Sequence, residues 1–110
     1  MLSLALPLLL GTAAAPPPPS DADARCLAVF AYLAGTVTDP AGKQSAVTGV
    51  AFFVGKLKGV NENVGIEATL RRVYTSDANV VNADRARCIA ELTAMGSELS
   101  AAGKSITANP

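Results

Sequence analysis

The sequence predicts an all-α protein: an irregular four-helix bundle with one disulfide joining its first and last helices. Three observations carry that expectation. Four segments repeat apolar residues at the three-and-four spacing of a helix, flanked by start and stop residues, and no strand pattern rivals them. The chain's two cysteines, Cys26 and Cys88, fall in the first and last of these segments. Half the residues are hydrophobic, enough for one modest core in a chain of 110.

The first segment of the chain stands apart from the bundle. Residues 2–10 read LSLALPLLL and lead into Gly11, Thr12 and three alanines. A short apolar run ending in small residues is the pattern of a signal peptide, expected over residues 1–15. It is far shorter than the roughly 20 apolar residues that span a bilayer. Pro16 directly follows Ala15 and would hinder cleavage there, which favours a cut after Ala13 or Ala14. The competing reading is a greasy N-terminus in a cytosolic protein. Residues 16–20, four prolines and Ser20, form an extended spacer. Such a run can bind a proline-recognition domain, but beside an export signal it reads as a stiff tether. The single helical domain is then expected over 21–110, with no transmembrane helix after signal removal.

Helix one is expected over 22–35, opened by a Ser20–Asp21 cap. Its centre, from Cys26 to Ala34, is apolar nearly all round, so neighbours should surround it. Val, Phe and Tyr would also suit a buried strand, but the alanines and the acidic cap favour helix. Helix two has the clearest start: Asp39 as cap and Pro40 as first residue. It is expected to run to Lys58, with Val47, Val50, Ala51, Val54 and Leu57 as its apolar stripe, widened by Phe52 and Phe53. Gly59 would end it in a left-handed conformation, with Lys56 and Lys58 favouring the dipole. Helix three is expected over 64–74 with Asn63 as cap, an apolar face of Ile66, Leu70, Val73 and Tyr74, and a Glu67–Arg71 pair. Helix four should start between residues 77 and 83 and carry Ile89, Leu92, Met95 and Leu99 on one side. Gly96 and Gly103 lie beside that stripe, where they either admit another helix or fray this one.

With an export signal, a lone pair of cysteines is most simply a structural bridge. Closing so long a loop contributes roughly 4 kcal/mol in the chain-entropy account. The alternatives are a redox pair, which normally sits in Cys-x-x-Cys, or two free core thiols.

Charge and chemistry narrow the function. Nine basic and nine acidic residues balance, without a block of either sign. No electrostatic footprint of a nucleic-acid or polybasic membrane binder is present. Arg71–Arg72 and Lys56-x-Lys58 read as solvated helix faces rather than anion sites. The chain has no histidine, which removes Ser-His-Asp and Cys-His catalysis and most zinc sites. Carboxylates occur singly, so no metal, cofactor or catalytic residues are expected. Gly55–Gly59 is basic and glycine-flanked but closes a helix, unlike a phosphate-binding loop.

The segments Arg25-Cys26-Leu27-Ala28-Val29-Phe30, Gly49 to Gly59, and Arg87-Cys88-Ile89-Ala90-Glu91-Leu92 with Gly96 carry a resemblance. They resemble short exported all-helical two-cysteine proteins of proteobacterial type, a group with no assigned activity, across nearly the whole mature chain. The plan alone, a small exported helical chain with one long disulfide, is similar to the HdeA-type periplasmic acid-stress chaperones. The motifs of that family are not shared. These resemblances imply a periplasmic or secreted protein and carry over no site residue. The expected function is a non-catalytic interaction or stress-related protein with an unidentified protein partner. The alternative is a binding module for an apolar or amphipathic molecule near Phe52, Phe53 and Tyr74, although Phe52 and Phe53 fit a core equally. An enzyme using carboxylates or Lys–Ser chemistry is the remaining option.

Overall fold

The computed structural model describes residues 19–108. The expected signal peptide and the first three spacer prolines lie outside the described residues. Four helices follow one another: α1, Pro19–Thr36; α2, Pro40–Val60; α3, Ile66–Ser76; and α4, Val80–Ala108. Among the described residues there is no strand. The all-α bundle read from the sequence is the observed architecture.

α1 is the hub against which α2, α3 and α4 each pack. Its residues Ala24 and Cys26 through Phe30 are all buried, on every side of the helix. That is the burial pattern expected of a helix with no polar face, but it stops at Phe30: Tyr32 is 48% exposed, and Ala31, Leu33 and Ala34 are only partly buried. The boundary of α1 differs from expectation. Pro19 belongs to the helix, so the spacer stops short of residue 20 and Asp21 sits in the first turn rather than at a cap. Proline is tolerated there because the first-turn N–H groups have no intrahelical partner.

α2 starts as read: the Asp39 carboxylate accepts from the Gly42 N–H at 2.7 Å, and Pro40 is the first helical residue. Its buried face is rotated from the expected stripe. Ala46, Gly49, Phe53 and Leu57 are buried, whereas Val47 is 50% exposed and Ala51 is exposed. Packing on α1 selects the row containing the largest ring and the smallest residue, not the row richest in valine. Gly49 is small enough to let the Phe30 ring lie against the α2 backbone. Nor does Gly59 terminate the helix. α2 runs on to Val60 and ends at Asn61 in extended backbone, with no residue at positive φ among those described.

α3 starts two residues later than expected, with Gly65 rather than Asn63 at the cap. Asn63 is drawn into a turn in which its N–H donates to Asn61 Oδ1 at 3.1 Å. Val73 is buried, Ile66, Leu70 and Tyr74 pack beside it, and Glu67 pairs with Arg71 as expected.

α4 holds the largest departure. Only its first half packs: Val80 and Cys88 are buried, with Val81 and Leu92 against the core. Of the expected stripe, Ile89 is 43% and Leu99 62% exposed. Beyond Leu92 every described residue but Met95 is exposed. The helix is about 43 Å long at 1.5 Å per residue, and α1 is too short to cover it.

Candidate functional site

Two features converge on the junction of α1, α2 and α4: a girdle of ion pairs around the disulfide, and an apolar groove beside it.

The Cys26–Cys88 bridge joins α1 to α4 with the Cα atoms 5.3 Å apart, and both residues are fully buried. No described cysteine is free. Each cysteine follows an arginine, so closing the bridge draws two cations to one side of the bundle. The carboxylates that meet them come from α4 and from the turn that leads into it. The Arg25 guanidinium donates to Asp84 at 2.5 Å and to Asp77 at 2.8 Å. Arg87 reaches Asp84 at 3.0 Å and lies 3.9 Å from Glu91. Glu91 accepts from Lys56 at 2.5 Å, and Lys56 lies 3.0 Å from Asp23. The chain of contacts Asp77–Arg25–Asp84–Arg87–Glu91–Lys56–Asp23 therefore ties α1, α2 and α4 together. Sequence reading missed this girdle because it saw the carboxylates singly. The available signal was the repeated Arg-Cys pair, with Asp84 and Glu91 one helical turn either side of Arg87.

The girdle sets the charge states. The Arg25 hydrogen bonds hold the Asp84 and Asp77 carboxyls below the usual carboxylate range, against the opposing effect of burial. The Glu91 hydrogen bond, with Asp23, pushes the Lys56 ammonium up. Lys56 Nζ also lies 5.5 Å from the centroids of both Phe52 and Phe53. Every cation in this chain of contacts is already occupied by carboxylates, an arrangement suited to clamping helices rather than to proton transfer.

A pH dependence follows with a definite sign. Carboxyls whose pKa is lowered by folding stabilise the protein above the ordinary carboxylate value, and that contribution is lost as pH falls through the lowered folded value. Helicity should therefore hold from pH 7 to about pH 4 and fall below it. With no histidine, no step should appear near pH 6. Arg25→Met should move the acid transition to higher pH and cost roughly 2 kcal/mol at neutral pH, a value moderated by solvent at these half-buried pairs. Far-UV circular dichroism across an acid titration measures both, and an unmoved transition would refute the assignment.

The groove, of about 610 Å³, opens between the N-terminal half of α2 and the middle of α4, with α1 as its floor. Phe30 and Leu33 form the floor, Ser45 and Ala46 one wall, and Ile89 and Leu92 the other. It exists because α2 offers mainly small side chains here, Gly42, Ser45, Ala46 and Thr48, which do not fill the space before α4. Arg85 stands at its edge and makes no ion pair among the described residues.

The three residues singled out as an apolar surface are placed elsewhere. Phe53 is fully buried, stacked on Phe30 with centroids 5.8 Å apart, and Phe52 meets it edge-on at 4.8 Å. Tyr74 packs on α1, its hydroxyl donating to the Ala28 carbonyl, and burial pushes its pKa up. The structure thus brings Phe52 and Phe53 together, and none of the three lines the groove. Among the described residues there is no grouping of side chains able to hold a metal ion, and no helix long and apolar enough to cross a membrane. Set against models of protein families, curated proteins and solved structures, the chain matches none.

Proposed function

We propose that this chain is a small exported interaction protein of an oxidising compartment, non-catalytic, which receives an apolar helical segment of a partner in its groove. The observation that carries the reading is the groove itself, open, mostly apolar in its lining and continuous with the uncovered face of α4. Exposed apolar surface of this extent is a feature of interaction sites, and an amphipathic helix laid in a groove is a recurring mode of recognition. The bridged cysteines support an oxidising compartment. The apolar run at residues 2–10 supports export to the periplasm or beyond.

The groove can be tested with the dye 1-anilinonaphthalene-8-sulfonate and the oxidised protein at neutral pH. Saturable binding is expected, reduced at least about tenfold in affinity by Ile89→Asp, which puts a charge in the wall of an apolar site. Ile89 is 43% exposed, so the fold should survive the change. Dye binding that ignores Ile89→Asp would refute the reading.

Arg85 favours a second reading, in which the groove holds the tail of an anionic single-chain amphiphile and the free guanidinium meets its head. A groove of this volume is within the range of small-molecule sites. Dodecanoate binding weakened by Arg85→Ala, with binding of uncharged dodecanol retained, would select this ligand over a helix.

A further inference from the structure

The uncovered face of α4 has a regular period. Ile89, Leu92, Gly96, Leu99, Gly103 and Ile106 are spaced three, four, three, four and three residues apart. That is the spacing of the a and d positions of a heptad, the pattern by which one helix keeps a seam toward another. In the single chain Leu92 leans on the core, and beyond it the seam has no partner among the described residues. Leu99 and Ile106 are 62% and 70% exposed, and a β-carbon built on Gly96 or Gly103 would meet nothing within 4 Å. Glycine inside a helix weakens it relative to alanine, and nothing among the described residues requires the missing side chain at either position.

We infer that the segment seated in the groove is the second half of α4 from another copy of this chain, the two α4 helices running antiparallel about a two-fold axis. The inference rests on the reading of the groove as a docking site for a helix. It is selected by the seam's own complementarity. An antiparallel pair sets each a position against a partner d position. Centred between Gly96 and Leu99, this alignment puts Leu99 of one copy against Gly96 of the other, Leu92 against Gly103, and Ile89 against Ile106. Each leucine thus meets a glycine, and the two isoleucines close the ends. A parallel alignment in register would instead stack glycine on glycine and leucine on leucine, leaving voids.

The surroundings agree. The positions flanking the seam are Thr93, Met95, Ser100 and Ala102, all uncharged, and Glu91, Glu98 and Lys104 fall outside it. The seam itself therefore carries no charge, Arg85 stands only at the edge of the groove, and the absence of net charge leaves little long-range repulsion between copies. Ile89, Leu92 and Gly96 also line the groove, so the visiting helix would lie over Phe30 and Leu33 as well as along α4. From Ile89 to Ile106 the seam is about 26 Å long. With the groove walls it would bury on the order of 1,200 Å² in total, the lower bound of stable specific interfaces. Such self-complementary contact is isologous and closes at two copies.

The test is sedimentation velocity on the oxidised protein as its host processes it, over a wide concentration range. A reversible dimer is expected. Gly96→Leu fills open space in the single chain and should leave its melting no lower, yet it removes the hole for Leu99 twice per dimer and should weaken association at least about tenfold. Gly96→Leu with Leu99→Ala exchanges the large and small partners within one layer and should regain dimers. A chain that stays monomeric throughout overturns the inference, and dye binding that still responds to Ile89→Asp would then leave the groove reading standing. A dimer indifferent to Gly96→Leu overturns the seam. Loss in the single variant without recovery in the double overturns the antiparallel alignment.

Discussion

Replacing both bridge cysteines, Cys26→Ala with Cys88→Ala, is expected to lower the melting temperature by about 15–25 °C. The loop spans 62 positions, for which the chain-entropy account gives roughly 4 kcal/mol, reduced by residual structure in the unfolded chain. For a domain of this size each kcal/mol moves the midpoint by about 4–8 °C. The structure adds where the loss should appear. α1 and α2 are held by the Phe30–Phe53 stack and by Gly49, independently of the bridge. α4 has few buried side chains of its own, chiefly Val80 and Cys88. Without the bridge it relies on Leu92, Val81 and the ion pairs of Arg25 and Lys56. Amide exchange in the variant should therefore speed up first in α4, while α1 keeps its protection and the far-UV helical signal survives near room temperature. An unchanged melting point, or loss spread evenly over all four helices, would contradict this division of labour.

What the sequence made legible was local. The Asp39–Pro40 start of α2 and the Glu67–Arg71 pair are each decided within a few residues and appear as read, and the apolar centre of α1 is buried as read from Cys26 to Phe30 though not on to Ala34. The bridge was legible for a different reason: two cysteines allow one intramolecular pairing. Features set by packing were read less well. The face α2 buries depends on which side chain fits Phe30, so a count of valines pointed about one position astray. Leu99 is as apolar as any core residue, and only the length of α1 shows that none of the described residues lies opposite it. The groove was illegible because it is made by small residues of α2 failing to meet α4. A gap between helices leaves no periodic mark. The girdle lay between these cases, since Arg-Cys occurs twice and the bridge, once assumed, brings both arginines together.

The two glycines Gly49 and Gly55, in the same helix, should respond in opposite directions when each is replaced by alanine. Gly→Ala inside a helix ordinarily stabilises by about 1 kcal/mol, because glycine has the larger backbone entropy to lose. A β-carbon at Gly55 would meet nothing within 4 Å, so Gly55→Ala should show that gain in full. At Gly49 it would lie 2.5 Å from Phe30 Cγ and 2.6 and 2.7 Å from the two neighbouring ring carbons. Those are core ring atoms, not the end of a flexible chain, and Phe30 is itself stacked on the fully buried Phe53. The ring cannot retreat without moving α1 away from α2. Overpacking of this kind costs about 1–3 kcal/mol, and with three ring carbons inside 3 Å the upper part of that range applies, so after the propensity gain Gly49→Ala should destabilise by up to about 2 kcal/mol. Gly49→Leu adds a branched side chain with nowhere to go and should cost upwards of about 3 kcal/mol. Shortening the opposing ring is the check on cause. Phe30→Leu alone should destabilise, but paired with Gly49→Ala the two losses should sum to less than their separate values, since each relieves the other. Urea melts of the four proteins give that coupling directly. Strict additivity would show that the close approach of Phe30 to the α2 backbone is not what keeps residue 49 a glycine.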